Sequence, residues 1–203
     1  MLGSIALGYL LGNFQTAYLI GKFFGKMDIR QEGSSNAGAS NVTQVMGWRF
    51  GFVTALFDIL KAFIAVKISF WIFGGETEAF TAGAFAVLGH MFPFYLKFKG
   101  GKGLASLVGM MLAFEPEIGL AMMASVLLLT IVTDYIAIGS LTVYMGLPIL
   151  LYFYGMDQVI LLESAALAIV GLMMHIGNIK KILRKEEKGL RATIKKKKVE
   201  RRK

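Results

Sequence analysis

The chain has 203 residues, of which 56% are hydrophobic and 17% are charged, and its formal net charge at pH 7 is +9. A soluble domain typically has about 25% charged and about 45–50% apolar residues, so this composition excludes an ordinary soluble fold, and it excludes disorder for all but the C-terminal tail. The absence of Cys excludes disulfide scaffolds, Cys-ligated zinc, iron–sulfur clusters and thiol nucleophiles, and with two His in the chain neither a metal nor another cofactor is expected.

The positive charge is concentrated at the C-terminal end. Residues 180–203 contain 13 of the 22 basic and three of the 13 acidic residues, a net of +10, whereas residues 1–179 have a net of −1. We therefore predict a membrane domain over residues 1–179 and a basic cytoplasmic tail over residues 180–203, attracted to anionic lipid headgroups. Nucleic acid is disfavoured as a partner because no aromatic residues interleave the charges of the tail.

The apolar segments predict an all-α, polytopic integral membrane protein with seven transmembrane helices, because a helix needs roughly 17–25 mostly apolar residues to cross a bilayer. No basic residue precedes the first segment, unlike in a signal peptide, so we interpret it as a retained span. The fourth span is short, since its apolar part has only the 11 residues of 104–114. The predicted spans are residues 2–22, 51–73, 79–97, 102–114, 117–133, 135–155 and 158–178.

The charges of the connections predict the orientation. Basic residues lie between the first and second spans, between the third and fourth spans, and in the tail. The opposite connections, which contain acidic residues and neither Lys nor Arg, are 74–78, 114–117 and 155–158. The positive-inside rule then puts the N-terminus outside and the C-terminus in the cytoplasm, whereas six spans would put basic groups on both sides.

A segment of small polar residues follows the first span. It reads Gly33-Ser34-Ser35-Asn36-Ala37-Gly38-Ala39-Ser40-Asn41 and contains no large side chain. Small residues let a backbone approach a ligand closely, and successive exposed N–H groups form anion-binding concavities. The alternative is a flexible polar loop without a ligand.

A second unusual segment follows the third span. Aromatic residues between His90 and Phe98 lead into Lys99-Gly100-Gly101-Lys102-Gly103, directly before an apolar helix. A glycine-rich turn with a Lys at a helix N-terminus is a plausible phosphate cradle, although the spacing is not that of a Walker A motif. The alternative, an interfacial turn with positive-inside lysines, explains the lysines but not the glycines.

Several ionisable residues lie in or near the spans, and three of them are candidates for a structural or catalytic role. Asp58 and Lys61 are three residues apart, so we expect them to share a helix face and to pair, and a structural ion pair is favoured over direct catalysis. His175 lies near the cytoplasmic end of the last span, and both a structural hydrogen bond and a catalytic role remain open for it.

Four blocks of the sequence, in this order, resemble the bacterial acyl-phosphate:glycerol-3-phosphate acyltransferases over roughly residues 1–190. The blocks are Gly33-Ser34-x-Asn36-x-Gly38-Ala39-Ser40-Asn41-Val42, Asp58-Ile-Leu-Lys61, His90-x-Phe92-Pro93-x-Tyr-Leu-Lys-Phe98-Lys99-Gly100-Gly101-Lys102-Gly103, and His175-x-x-Asn178-Ile179-Lys180. The resemblance implies a seven-helix enzyme of the bacterial cell membrane, with its N-terminus outside and its active site at the cytoplasmic face.

The implied reaction transfers a fatty acyl group from acyl phosphate to the 1-hydroxyl of sn-glycerol 3-phosphate, giving lysophosphatidic acid and phosphate, the first step of phospholipid synthesis. The implied partners are these two substrates, membrane lipids and a soluble enzyme that produces the acyl phosphate. No metal is implied, because an acyl phosphate already has a good leaving group. Orientation and charge stabilisation then supply most of the acceleration.

The resemblance also implies the site residues. The catalytic residues would be Ser34, Lys102 and His175, where Lys102 and the surrounding amides hold the acyl-phosphate phosphoryl group. His175 and Asn178 would hold glycerol 3-phosphate, and the hydroxyl proton would pass to the leaving phosphate or to His175. The implied substrate-binding residues are Asn36, Gly38, Asn41, Gly100, Gly101, Gly103, Ser140 and Asn178.

The sequence departs from the family pattern at several positions. It has Gln44, Ile176 and Lys181 where Arg is usual, Ser35 and Lys185 where Gly is usual, Asp134 where a basic residue is usual, and Ala137 where Ser is usual. The two lost arginines and the charge reversal at Asp134 remove phosphate partners. Lys181 is not an equal replacement for Arg, because Arg binds phosphate in bidentate fashion and Lys does not. The alternatives are therefore a divergent paralogue with another acceptor or weak catalysis, and a non-catalytic lipid-binding scaffold.

A transporter is disfavoured, because Asp58, Lys61 and His175 do not form a relay across the membrane and no inverted repeat is evident.

Overall fold

The computed structural model describes residues 1–192, and all regular secondary structure in this range is helical, which confirms the all-α prediction. Residues 193–203, which belong to the predicted basic tail, lie outside the described residues. The predicted boundary at residue 180 falls inside the last long helix, which continues to Leu183.

The first apolar segment forms two helices rather than the continuous span predicted over residues 2–22. Helix α1 covers Leu2–Gly12 and helix α2 covers Thr16–Phe24. Between them, Asn13 accepts a hydrogen bond from the backbone N–H of Phe94 (3.0 Å), and Gln15 donates one to the carbonyl of His90 (2.8 Å). The expectation of one continuous helix was wrong here, because tertiary partners satisfy the polar groups of the break.

The other helices follow the predicted spans closely, except for one short helix inside the connection after the first span. They are α3 (Ala39–Met46), α4 (Trp48–Phe73), α5 (Glu76–Met91), α6 (Leu104–Phe114), α7 (Pro116–Thr133), α8 (Ile136–Phe153) and α9 (Gln158–Leu183). Local signals set several ends: Gly74 takes a left-handed conformation after α4, Pro116 begins α7, and the Asp157 carboxylate caps α9 by accepting hydrogen bonds from its first turn.

Four segments are long and apolar enough to cross a membrane by length and composition. These are Glu76–Leu96, Pro116–Thr133, Ile136–Phe153 and Gln158–Leu183. Helix α4 is as long as α9 but carries four charged residues, and α1 and α6 have only 11 residues each. The predicted number of seven spans therefore stays a prediction.

Small residues let α1 lie directly on α5. A Cβ atom at Gly8 or Gly12 would overlap the backbone carbonyl of Ala82 or Ala86. Close backbone contact through small residues is typical of helix pairs in membranes, where no hydrophobic force distinguishes a helix from lipid. This contact holds the break after α1 beside the end of α5, where Gln15 bonds the carbonyl of His90.

The outer faces of the long helices are apolar. Exposed side chains on α7, α8 and α9 include Leu128, Ile131, Val132, Ile149, Phe153 and Ile169. The interior, in contrast, holds Asp58, Lys61 and His90, each almost fully buried. An apolar exterior around buried ionisable groups fits a lipid environment.

Candidate active site

A cavity of about 540 Å³ lies between the loop of residues 33–40, the first turn of α6, and the facing parts of α4, α7, α8 and α9. Eight of the eleven site residues expected from the sequence line this cavity. They are Ser34, Asn36, Gly38, Lys102, Gly103, Ser140, His175 and Asn178. The fold thus brings together segments that lie more than 60 residues apart in the chain.

Asn41 does not line the cavity but holds the loop that does. Its side chain is fully buried, accepts a hydrogen bond from the Ser34 N–H (2.8 Å), and donates to the carbonyls of Ile29 and Glu32 (both 2.9 Å). Both amide hydrogens are used in these bonds. The geometry is that of a residue that positions Ser34, and the expected role of Asn41 as a substrate ligand stays a prediction.

Gly100 and Gly101 also lie outside the cavity lining. The N–H of Gly100 donates to the Met91 carbonyl (3.0 Å) and that of Gly101 to the His90 carbonyl (3.1 Å). A Cβ at Gly100 would overlap the His90 carbonyl, and one at Gly101 would overlap the His90 ring. The glycine pair therefore packs the loop onto His90 with both of its N–H groups bonded within the protein, and its expected contact with a phosphate stays a prediction.

Under this loop, Asp58, Lys61 and His90 form what we call the closed cluster. The Lys61 ammonium group lies 2.9 Å from Asp58 Oδ1, 2.8 Å from His90 Nδ1 and 2.7 Å from the Phe14 carbonyl. The expected pairing of Asp58 with Lys61 is confirmed. His90 was missed, because its contacts with Asp58 and Lys61 join α5 to α4, and no local pattern indicates such a contact.

Lys102, Asn178 and Glu187 form a second group, the open cluster. Lys102 donates a hydrogen bond to Asn178 Oδ1, and Asn178 Nδ2 donates to Glu187 Oε1 (2.6 Å). Burial lowers the pKa of Lys102 below its ordinary value, the Glu187 carboxylate opposes this shift, and the positive charge of Lys181 adds to it. Lys102 has one protein partner among the described residues, so it retains donors for a ligand.

The first turn of α6 presents further donors beside Lys102. Gly103 precedes the helix in a left-handed conformation (φ 76°), and the Tyr144 hydroxyl fixes the turn by donating to the Lys102 carbonyl (2.9 Å). The N–H groups of residues 104–106 have no hydrogen-bond partner within residues 1–192. Free amides at a helix N-terminus next to a Lys favour an anion.

His175 lies on the α9 wall of the cavity with a defined orientation. Its Nδ1 is 2.7 Å from the carbonyl of Gly171, so Nδ1 carries the proton and Nε2 carries the lone pair. On the neighbouring helix α8, the Ser140 hydroxyl donates to the Ile136 carbonyl (2.9 Å). His175 is therefore arranged to accept a proton or a hydrogen bond.

One wall of the cavity is apolar and reaches the protein surface. It includes Met123, Val126 and Leu127 on α7 and Ile136 on α8. Leu127 is 59% exposed and Ile136 is 42% exposed, although both line the cavity. Since these helices face lipid elsewhere, the cavity opens sideways toward the apolar exterior.

The structure also places the residues that depart from the family pattern. Gln44, Ala137 and Lys181 line the cavity, and Gln44 Oε1 is buried without a hydrogen-bond partner within residues 1–192. Ser35 and Lys185 have φ values of 60° and 61°, a conformation that suits the glycine usual there. Asp134 accepts backbone hydrogen bonds from Leu190 and Arg191.

Comparisons of the sequence with known proteins agree with one another. The sequence model of the family described as Glycerol-3-phosphate acyltransferase matches residues 2–185. The Glycerol-3-phosphate acyltransferase of Thermoanaerobacter pseudethanolicus is 37% identical over 177 residues, which cover 87% of this chain and 89% of that protein. Glycerol-3-phosphate acyltransferase 1 of Oceanobacillus iheyensis is 35% identical over 200 residues, which cover 94% of this chain and 95% of that protein.

A solved structure is similar over nearly the whole fold. The crystal structure of PlsY (YgiH), an integral membrane glycerol 3-phosphate acyltransferase in its glycerol 3-phosphate form, superposes with a TM-score of 0.87 and 30% sequence identity, covering 93% of this chain and 94% of that chain. The lysophosphatidic acid form of the same protein gives a TM-score of 0.83. These likenesses confirm the predicted multi-pass membrane fold, while the orientation of the termini stays a prediction.

Proposed function

This chain belongs to the glycerol-3-phosphate acyltransferase family, and on that premise we propose that it transfers a fatty acyl group from acyl phosphate to the 1-hydroxyl of sn-glycerol 3-phosphate. The products are lysophosphatidic acid and inorganic phosphate. One observation carries the proposal: a single cavity joins a group of anion-binding donors to an apolar wall that opens sideways. The two substrates together need both features, since each has a phosphate group and one has an acyl chain.

The donors around Lys102 hold the phosphoryl group of acyl phosphate. The Lys102 ammonium group and the free amides of the first α6 turn lie beside each other, and both favour negative charge. As the carbonyl–phosphate bond breaks, charge accumulates on the leaving phosphate, and prearranged donors stabilise that charge without reorganisation. We assign this role to Lys102 first, because it retains donors after its bond to Asn178.

The acceptor binds between the loop and α9. Ser34 and Asn36 line the loop side of the cavity, and His175 and Asn178 line the α9 side. The Ser34 hydroxyl has no partner among the residues that the structure describes, and Asn41 fixes the backbone that carries it. These donors orient glycerol 3-phosphate so that its 1-hydroxyl faces the acyl carbonyl, which is the main requirement for transfer to a good leaving group.

The reaction is a direct displacement at the acyl carbon. The 1-hydroxyl oxygen attacks the carbonyl carbon, the new ester bond forms, and the bond from that carbon to the phosphate oxygen breaks with its electron pair on phosphate. The hydroxyl proton passes to His175 Nε2, whose lone pair is free because Nδ1 is bonded to Gly171. A His175→Gln variant separates this route from proton transfer to the leaving phosphate, because the variant loses the proton acceptor of the first route and keeps that of the second.

We further propose that the protein lies in the bacterial cell membrane with its active site at the cytoplasmic face. The open cluster lies beside the basic residues Lys181 and Lys188, and the connections on the opposite side lack Lys and Arg. A soluble enzyme that phosphorylates or transfers fatty acyl groups would then deliver the acyl phosphate from the cytoplasm.

The test uses purified protein in lipid, supplied with palmitoyl phosphate and glycerol 3-phosphate, with palmitoyl-CoA as a parallel donor. We expect lysophosphatidic acid and phosphate from the acyl-phosphate donor alone. Product from the CoA donor instead would overturn the donor assignment. Absence of product from both donors, with the protein folded, would overturn the proposed activity and direct the search to other acceptors.

A further inference from the structure

The residues after α9 turn back toward the cavity. Lys185, with φ 61°, reverses the chain direction, and the N–H groups of Glu186 and Glu187 donate to the Lys181 carbonyl (2.8 and 3.3 Å). We call residues 184–191 the strap. Its middle residues Glu186, Glu187 and Lys188 line the cavity, so the strap forms one of its walls.

Asp134 at the end of α7 anchors the far end of the strap. Its backbone carbonyl accepts a hydrogen bond from the Leu190 N–H (2.9 Å), and its carboxylate accepts one from the Arg191 N–H (2.8 Å). Gly189 is buried against the same carboxylate, where a Cβ would overlap it. A fourth contact joins the Arg191 guanidinium group to the Ile131 carbonyl (3.1 Å).

The anchored strap brings an exposed cation, Lys188, to the lining of the cavity. Lys188 lies one residue from the buried Gly189 and makes no side-chain hydrogen bond or ion pair within residues 1–192. Of the two strap carboxylates that line the cavity, Glu187 is engaged by Asn178. Gln44, which also lines the cavity, supplies no positive charge. Lys188 is therefore a cation at the cavity lining whose donors remain available to an anion.

We propose that the strap closes the water-facing mouth of the cavity over glycerol 3-phosphate, with Lys188 as a further ligand of its phosphate group and Asp134 as the residue that positions the strap. The inference rests on the proposed function. We place glycerol 3-phosphate, the water-soluble substrate, under the strap because a segment with this many charged side chains faces water and not lipid. Asp134, which the sequence suggested as a lost phosphate partner, thus acts through Lys188.

The test compares two pairs of variants in lipid, with KM measured separately for glycerol 3-phosphate and palmitoyl phosphate. Asp134→Gly removes the carboxylate while easing the left-handed backbone (φ 72°), whereas Asp134→Asn keeps an acceptor oxygen and suits the same backbone. Lys188→Gln removes the proposed ligand, and Lys185→Gln removes an equal charge from the strap outside the cavity lining.

We expect Asp134→Gly and Lys188→Gln each to raise KM for glycerol 3-phosphate about tenfold, the worth of one charge-assisted contact. In these two variants, kcat and the KM for palmitoyl phosphate should stay near the values of the unmodified protein. In Asp134→Asn and Lys185→Gln, kcat and both KM values should stay near them. The double variant Asp134→Gly/Lys188→Gln should be no worse than either single variant, because both changes remove the same contact.

An unchanged KM for glycerol 3-phosphate in Lys188→Gln, or additive effects in the double variant, would overturn the inference while leaving the proposed function intact. A rise in KM for palmitoyl phosphate alone would show that the strap serves the other substrate and would also overturn it. No turnover by the unmodified protein would overturn both proposals together.

Discussion

The closed and open clusters lie at the same cavity and differ in how their donors are used. In the closed cluster, Asp58, His90 and the Phe14 carbonyl occupy the three donors of the Lys61 ammonium group. In the open cluster, Lys102 has only Asn178 as a partner among the described residues. A buried cation with all donors satisfied is suited to hold helices together, whereas one with donors left over is suited to bind a ligand.

The largest effect should follow loss of the cation in the open cluster. Lys102→Ala removes a prearranged donor from the leaving phosphate, so we expect kcat to fall about hundredfold to thousandfold with the fold retained. Lysophosphatidic acid formation measures this, and Lys99→Ala, an exposed lysine outside the cavity lining, is the matched control. Activity within twofold of the control would contradict the assignment of Lys102.

A change in the closed cluster should lower the stability of the protein. Asp58→Asn leaves the Lys61 charge buried without its counter-ion, so we expect the free energy of unfolding to fall by about 3–5 kcal/mol. The double variant Asp58→Asn/Lys61→Met removes both charges and should lose less. Thermal unfolding in lipid compares the two, and a double variant less stable than the single one would refute the idea that the cluster is a structural ion pair.

The glycine pair links the two clusters and should give a smaller effect on kcat. Gly101→Ala would push the loop away from the His90 ring and displace Lys102, so we expect a loss of about tenfold to hundredfold. Gly146→Ala is the control, because no atom lies within 4 Å of a Cβ there. Equal activities of the two variants would mean that the position of the loop does not control Lys102.

A substitution at Gln44 tests whether the cavity wall formed by this residue accepts another cation. Gln44→Arg replaces a buried, unpartnered amide oxygen with a guanidinium group, so we expect kcat/KM for glycerol 3-phosphate to rise up to about tenfold. Gln44→Met, of similar length and without charge, is the comparison variant. No difference between these two variants would show that the substrate phosphate lies away from this wall.

The smallest effect should be on the pH profile. Burial lowers the pKa of Lys102, and the protonated form binds the anion, so raising the pH through the lowered pKa should reduce kcat/KM. The alkaline decline should therefore begin below the ordinary lysine range. Lys102→Arg keeps its charge and should move the decline to higher pH, whereas an identical decline in both proteins would assign it to another group.

Helix positions could largely be predicted from the sequence because apolar runs fix them locally. The predicted span 117–133 differs by one residue from α7, and 158–178 begins at the same residue as α9. The break between α1 and α2 could not be predicted, because Asn13 and Gln15 find their partners some 75 to 81 residues away. A break whose polar groups are satisfied at long range leaves no local signal beyond two polar side chains.

The site residues show the same difference between features that are visible locally in the sequence and features that depend on distant contacts. Lys102 and His175, which both line the cavity, could be singled out because their chemistry is visible in the sequence. Asn41 and the glycine pair were assigned to substrate, but their hydrogen-bonding groups are used within the protein. Whether an amide serves a ligand or a neighbouring loop depends on contacts that spacing does not specify.

The sideways opening at Leu127 and Ile136 has a consequence for the products. In the proposed reaction, lysophosphatidic acid formed in the cavity would move its chain directly into the surrounding lipid, while inorganic phosphate would leave into water past the charged residues 186–188. The two products thus separate into different phases as soon as the ester forms. This partition opposes the reverse reaction, and a lipid that would otherwise form micelles in water never has to leave the bilayer.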